Sequence, residues 1–541
     1  MKSYIKIFAL LLCISYSSCS WLDIEPEGEA TDKKLYKTGD GYRTALAGVY
    51  SQMASRSLYG LELQFGYIDC LSQQYDWTWN SRGFGQDNAS VYQRISSFEY
   101  QNDVVLRMTD AIWETGYNAI ANANNLITQA EAASPSLFEY KEMERSMILG
   151  EAYACRALMH FDLCRLFTPA PIENDNTVLL PYVKTYPDIQ PEGIDVSTYL
   201  DNVVADFEKA AELTLAYDTT ALGMGSNASW RARFENEKES GFETKLPSGE
   251  VPESFLKNRG YRLTHHAIKA LLARVYLYMG NYDKALEYAT FVWEAKAKGI
   301  EGSGNEMEMY KNEEWYHIAG TNDPEQKRYL RMPWSIIFAL DNENAYNDYN
   351  IEFHFKKVAE RNAPGQWFLL ALKRQNIFEN KSTNADEYEQ DYRGQSMLFT
   401  PNYDGFFGRE PLHVYSLKLF PSSNTLERNK TLNKSPIIRT SELLYIIAEC
   451  HARKGDFAGA YEVLNRLREM RGLRGTPLPV AGDFDTFARD LVNDAQREWI
   501  SEGQLFYLYK RLKFPCVGDQ NERRPMNKSE YMPPIPVNQN F

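Results

Sequence analysis

Cysteine is scarce in this chain. Seven occur among 541 residues, widely scattered and without a C-x-x-C pair, so neither a disulfide framework nor a zinc site is indicated. Histidine is equally sparse. The seven histidines form no H-E-x-x-H and no close ligand pair, and His265 and His266, adjacent at a helix start, point different ways. There is no G-x-S-x-G, no P-loop and no G-x-G-x-x-G opening a helix; Gly223-x-Gly225 lacks the third glycine and a flanking strand. Positive charge is in deficit, with Lys+Arg 59 against Asp+Glu 73 and a net charge of -14. That balance argues against nucleic acid or an anionic lipid surface as the main partner, since both need a basic face. No apolar run reaches the roughly 20 residues that cross a bilayer.

What the chain has in plenty is rings. Trp 10, Tyr 36 and Phe 27 make up 13% of it, enough for a core with ring faces to spare. It also begins with a short export pattern. Lys2 and Lys6 precede the apolar stretch Ile7 to Ile14, and the small Ser17 and Ser18 stand before Cys19. A cysteine after small residues at a cleavage point resembles the lipobox of bacterial lipoproteins, with Tyr16 departing from the usual leucine. We therefore expect a signal peptide over 1–18, lipidation at Cys19, and an acidic Pro- and Gly-bearing tether over 19–34. Losing residues 1–18, which carry two lysines and no acid, takes the charge to -16.

From residue 35 onward helical periodicity dominates. Helices are expected over Leu35–Met53, Asp110–Ala133, Glu142–Phe167, Val196–Leu215, Thr264–Met279, Tyr282–Lys298, Ser441–Lys454, Ala458–Met470 and Phe484–Lys513. Two helix pairs share one ruler. Ala273-x2-Tyr276-x3-Gly280-x-Tyr282-x2-Ala285 has the spacing of Ala448-x2-His451-x3-Gly455-x-Phe457-x2-Ala460. Small residues let paired helices approach, a glycine turns the chain, and rings fill the gap, which is the tetratricopeptide pattern. The expected architecture is mainly α, a tetratricopeptide-repeat helical scaffold with long irregular loops and a few short strands. It forms one domain over 35–541, with repeat helices at about 35–65, 110–215, 263–300 and 438–513. The irregular stretches lie at about 66–100, 220–262 and 301–436. Within them Trp334–Leu340 and His413–Phe420 read as strands. Cys155, Cys164, Trp113, Trp293 and Trp499 lie on helices and read as core.

Several segments together carry a family resemblance. They are Trp113, Tyr117, Ile120 and Asn124 (W-x3-Y-x2-I-x3-N), GEAYACRALMHFDLCRLFTPAP at 150–171, ALLARVYLYMGNYDKAL, PIIRTSELLYIIAEC at 436–450, QREWISEGQLFYLYKRL at 496–512 and PPIPVNQ at 533–539. In this the chain resembles the SusD/RagB family of outer-membrane nutrient-binding lipoproteins. Departures are Gln504 where Arg or His is usual, and Leu508–Tyr509 in place of Asp-Leu. The resemblance implies four tetratricopeptide units facing a SusC-like TonB-dependent transporter, and a loop side that takes the ligand. Localisation would be the cell surface of an outer membrane, through a lipid anchor. The ligand would be an oligosaccharide or polysaccharide, or in RagB-type members a peptide.

Sugars need flat ring faces for their C–H side and planar donors and acceptors for their hydroxyls. Tyr75, Trp77, Trp79, Asn80 and Arg82 supply both within eight residues, in a Gly- and Asn-bearing loop where alternate rings are hard to bury. The region also falls where relatives carry a ligand-contacting loop. Trp315, Tyr316 and Trp367 are further candidates. Each of these rings could instead cap the core. The Asp341–Asp348 run offers oxygens of the kind calcium takes but reads better as a solvated loop, so no cofactor is indicated. Carboxylate pairs decide nothing, because 73 acids supply too many of them. The reading is a non-enzymatic binding protein, with peptide capture, a surface glycoside hydrolase, and a repeat scaffold without a small ligand as rivals.

Overall fold

The computed structural model describes residues 34–75, 77, 86–188, 191–235, 253–298, 306–311, 329–342, 344–345, 371–373, 377–378, 387–399, 413–418, 433–518 and 522–536. Helices are α1 (Gly39–Met53), α2 (Tyr67–Leu71), α3 (Gln86–Ser96), α4 (Asp103–Ala132), α5 (Lys141–Phe167) and α6 (Val196–Asp218), followed by α7 (His265–Met279) and α8 (Tyr282–Trp293). Near the end come α9 (Thr440–Arg453), α10 (Phe457–Met470), α11 (Phe484–Glu498) and α12 (Leu505–Leu512). From α4 to α10 each long helix packs on the next, and α1 packs on α4, which is the side-by-side stacking of helical repeats.

Local chemistry accounts for the repeat boundaries. Thr264 caps α7 through the amide of Ala267, and Gly280 closes it with φ +79. Gly455 does the same after α9 with φ +82, a conformation in which a side chain would be strained. Asn281 and Asp456 then cap α8 and α10. The four ruler alanines, Ala273, Ala285, Ala448 and Ala460, are fully buried, as close helix approach requires. On α4 the residues Trp113, Tyr117 and Ile120 enter the core. Asn124 donates to the carbonyls of Val183 (3.0 Å) and Thr185 (3.2 Å) and accepts from Arg156 (2.8 Å), so the family asparagine pins a loop.

Helix α5 is buried over most of its length, and its polar residues are all answered. Arg156 makes a two-pronged pair with Asp206 (2.7 and 2.7 Å), Tyr59 donates to Asp162 (2.5 Å), and Glu151 receives Arg259 (2.5 Å). Cys155 and Cys164 are buried and free, and Trp113, Trp293 and Trp499 are core.

Strands are short, as expected. β1 (Leu180–Pro181) pairs with β2 (Gly193–Ile194), and β3 (Lys296–Lys298) with β4 (Glu306–Glu308). β5 (Ile336–Asp341) lies antiparallel to β9 (Lys434–Arg439) with bulges near Phe338. β8 (His413–Ser416) sits between β6 (Ala371–Lys373) and β7 (Leu398–Phe399).

Three expectations are corrected. The stretch read as one helix over Phe484–Lys513 breaks at 499–504, because Ser501 and Gly503 take left-handed φ values of +63 and +67 and the carboxylate of Asp69 holds the Gly503 amide (3.2 Å). The helix from Tyr282 stops at Trp293, and Lys296–Lys298 turns into a hairpin strand. The stretches 66–100 and 220–262 contain α2, α3 and the short helices Ala221–Gly225, Trp230–Glu235 and Ser254–Lys257. These pieces are too short to show a helical period, and a cap such as Thr220 on the Gly223 amide (3.0 Å) sets one of them.

Candidate functional site

Tyr75 and Trp77 are the sequence candidates that fall among the described residues. Tyr75 is buried, and its hydroxyl donates to the carbonyl of Phe65 (2.6 Å). The half-buried Trp77 ring stands edge-on to it at 6.0 Å and 83°. The indole N–H donates to Ser96 Oγ (2.7 Å), which itself donates to the Cys70 carbonyl (2.9 Å). Gln73, at φ +60, adds a bond from its side chain to the Ser96 carbonyl (2.8 Å). The polar edge of Trp77 is thus spent on the fold. What it offers outward is ring surface at a fixed angle, with little rotamer freedom left to lose on binding. Trp79, Asn80, Arg82, Trp315, Tyr316 and Trp367 lie outside the described residues.

The helix behind Trp77 leads to a second feature. Tyr92 on α3 donates to Glu62 (2.9 Å), and Arg56 lies close enough to moderate the strong upward pressure that burial puts on the Tyr92 phenol. Arg56 is also one end of a cleft of about 1070 Å³ between α1, the segment 253–262 and the end of β5. That volume is at the upper end for small-molecule sites.

The cleft walls are held by buried charge. Glu151 Oε2 accepts from the Tyr50 hydroxyl (2.5 Å) and Arg262 Nε (2.9 Å), and its Oε1 takes Arg259 (2.5 Å) and Arg262 Nη2. Arg259 is further fixed by Asp218 (2.7 and 2.7 Å). Arg43 reaches Glu144 (2.6 Å) and Glu253 (2.5 Å). Burial works against the charge on Arg43 and on Arg262, and their carboxylate partners more than offset it, so both stay cationic. The two guanidiniums lie over the Phe255 ring at 4.9 and 4.5 Å. Tyr261 stacks on Phe234 at 5.6 Å and 12°, with the Lys434 ammonium 4.3 Å from its centre.

Asn342 lines the same cleft and is buried. Its Oδ1 accepts from the Asn344 amide (3.0 Å), while its Nδ2 has no partner among the described residues. Ser55 Oγ is in the same position. A buried polar group without a partner costs free energy, so these are groups a hydroxylated guest would satisfy. The two carboxylates that line the cleft already have cations: Glu253 has Arg43, and Asp341 has Lys434 (2.7 Å). The exposed Asp341 thus makes an ion pair with Lys434 at the start of the run 341–348, of which 343 and 346–348 lie outside the described residues. Arg43, Tyr50, Phe255, Tyr261 and Arg262 were not candidates from sequence. The only cue was their spacing of basic and aromatic residues at 253–262, and no helical or strand period marks it.

Residues 211–534, more than half of the chain, match the model of the SusD family, and residues 73–220 match a model described as starch-binding associating with outer membrane. The chain belongs to the SusD family. Among curated proteins it is similar to SusD-like protein P25 of Formosa agariphila, 21% identical over 537 residues that cover 95% of this chain and 90% of that protein. SusD-like protein P2 of the same organism is 23% identical over 300 residues, 55% of this chain and 47% of P2, so the chain aligns with about half the length of that relative. Among solved structures, a SusD superfamily protein of Bacteroides thetaiotaomicron superposes with a TM-score of 0.59 at 22% identity, covering 91% of this chain and 92% of that one. A SusD-like carbohydrate binding protein of Bacteroides vulgatus gives 0.58 at 14% identity, covering 92% and 95%. At such identities the likeness shows the shared helical fold. The departures from the family pattern sit inside it: Gln504 accepts from Arg165 (3.2 Å), and Leu508 and Tyr509 are buried. Among the described residues of this SusD family member no helix is long and apolar enough to cross a membrane.

Proposed function

We propose that this protein is a cell-surface lipoprotein, anchored through Cys19 in the outer membrane, that captures an oligosaccharide and hands it to a SusC-like TonB-dependent transporter without cleaving it. The observation that carries the reading is the Trp77 ring, locked by Ser96 of α3, the helix whose Tyr92 lies near Arg56 of a roomy polar cleft. A locked ring supplies stacking, and the cleft's amide and guanidinium groups supply hydrogen bonds to hydroxyls. Trp79, Asn80 and Arg82, and with them Trp315, Tyr316 and Trp367, are proposed to complete the ligand surface. Tyr75 supports Trp77 from below. The family's description as starch-binding and the carbohydrate-binding relative from Bacteroides vulgatus favour a glycan over a peptide.

Absence of turnover is argued from the cleft's acids. Glycoside hydrolysis uses two carboxyl groups about 5–10 Å apart, one of them protonated. Here Glu253 is engaged by Arg43, and Asp341 is engaged by Lys434. Affinity should be modest, roughly micromolar to millimolar, because delivery needs release. The test is titration of residues 20–541 with oligosaccharides and peptides, followed by tryptophan fluorescence with product release assayed in the same samples. Binding of one glycan class without cleavage, lost in Trp77→Ala/Trp79→Ala, is the expected result. Cleavage would replace the capture reading with a hydrolase, and peptide-only binding with RagB-type capture.

A further inference from the structure

A separate small cavity lies away from the cleft, where the third repeat (α7), the fourth (α9) and the C-terminal helices α11 and α12 meet α5. It has a volume of about 50 Å³. A water needs roughly 10–15 Å³ of such volume, so there is room for about three to five waters, or for one small ion with a water or two. Its lining mixes aliphatic and ring side chains such as Leu277, Leu508 and Trp499 with three arginines and two glutamates. Arg274 gives Nε and Nη2 to Glu442 (2.6 and 2.7 Å), and Arg511 grips Glu449, with Nη2 at 2.7 Å. Arg165 spends Nε (3.0 Å) and Nη2 on Asp162 and Nη1 on Gln504 (3.2 Å), and lies 3.8 Å over the Tyr507 ring. Arg453 backs Glu449 at 3.5 Å.

The groups left over are donors. Arg274 Nη1 and the hydroxyls of Tyr278 and Tyr507 are buried and have no hydrogen-bond partner among the described residues, although all three residues line the cavity and are at least nine-tenths buried. The carboxylates of Glu442 and Glu449 point both of their oxygens at guanidiniums. Three guanidiniums (Arg165, Arg274, Arg511) and two carboxylates (Glu442, Glu449) line the cavity. A guest that brought its own protons would find few acceptors, whereas one that only accepts would answer all three donors at once.

We propose that this cavity binds a single small monovalent anion of the size of chloride, held by Arg274, Tyr278 and Tyr507. The ion joins the third repeat, through Arg274 and Tyr278, to α12, through Tyr507. It is independent of glycan capture.

Two measurements test it on residues 20–541. Crystals soaked in sodium bromide should show an anomalous peak inside the cavity. Thermal unfolding in sodium chloride and in sodium gluconate at equal ionic strength should separate: chloride should raise Tm by about 1 °C per tenfold concentration above its Kd for a chain of this size. The rise should vanish in Tyr278→Phe/Tyr507→Phe, which removes two hydroxyls and little else. Density without anomalous signal, meaning water, overturns the proposal. So does a Tm that responds equally to both salts, or equally in the variant. The bromide experiment needs no variant, so a misfolded double mutant leaves the question decided.

Discussion

Replacing Glu151 by Gln probes the wall on which the cleft depends. Glu151 is fully buried and its two oxygens serve Tyr50, Arg259 and Arg262. The substitution keeps the shape, removes the charge, and turns one acceptor into an N–H2 facing a cation. Breaking a buried ion pair from one side costs about 3–5 kcal/mol. Arg259 keeps both bonds to Asp218, so the lower end, about 3 kcal/mol, is expected. At roughly 2.1 cal/mol/K per residue, 541 residues have an unfolding entropy near 1.1 kcal/mol/K, so Tm should fall by about 3 °C. Calorimetry measures this, and titration with the captured glycan should show a severalfold weaker Kd, because Tyr50 and Arg262 lose their common anchor. In an Arg262→Met background the second cation is gone, and Glu151→Gln should cost at least about 1 kcal/mol less than it does alone. Strict additivity of the two changes, or a Tm within 1 °C of wild type for Glu151→Gln, would refute the reasoning.

Other outcomes follow from the same geometry. Trp77→Ala should weaken glycan binding by about tenfold or more, while Trp77→Phe, which keeps one ring and gives up the second ring and the bond to Ser96, should cost about 1–2 kcal/mol of stability and bind within a few fold of wild type; titration and melting of both variants check this. Asp494 accepts from Arg393 (3.0 and 2.9 Å) and Tyr445 (2.6 Å) inside a buried charge cluster, so Asp494→Asn should lower Tm by about 3–5 °C in a scanning calorimeter. Acid should unfold the protein in two stages. Burial pushes the His160 imidazole down to about 3, so the unfolded chain takes up a proton from about pH 6.5 downward that the folded chain refuses, and stability falls from there. Burial works against the charges of Asp494 and Glu498, but Arg393 and Arg471 more than offset it and hold both carboxyls below the usual range; the stability they contribute is present above about pH 4 and lost as pH falls further. His160→Gln should shrink the first stage of a Tm-against-pH curve, to which His265 and His266, also pushed down by burial, contribute the remainder, and leave the second.

Legibility in the sequence tracked periodicity. Long helices such as α4 and α5 have apolar positions every three or four residues, and caps and turn glycines mark their ends, so their existence and most boundaries could be read directly. The break at 499–504 could not, because what bends the chain there is Asp69, more than 400 residues away in sequence, receiving the Gly503 amide. The short helices at 221–225 and 254–257 had too few residues to show a period. At the site, the Trp77 segment stood out by composition. That its N–H would be consumed by Ser96 did not, since that contact depends on how α3 packs. The cleft was invisible for a similar reason: Arg43, Arg262 and Asn342 come from three distant stretches, and only the fold brings them to one wall.

The irregular side of the molecule poses a problem that helices do not: its carbonyls lack ladder partners, yet many are buried. Arginines on the scaffold and in the loops answer them. Arg233 donates to the carbonyls of Asn227 (3.1 Å), Met309 (3.1 Å) and Trp334 (3.3 Å), and Arg439 to those of Met332 (3.1 Å) and Arg331 (2.9 Å) while also holding Glu502 (3.0 and 2.8 Å). Arg274 reaches Ile437 O (2.6 Å), Arg497 reaches Ile377 O (3.0 Å), and Arg331 reaches Lys418 O. A guanidinium presents five donors in a rigid fork, so one side chain can cap several carbonyls and a carboxylate together, which a lysine ammonium on a flexible stem cannot do. That is why Arg233, Arg259, Arg393, Arg439 and Arg497 rank among the largest fully buried side chains here. The residues that fasten the loops therefore belong to the core.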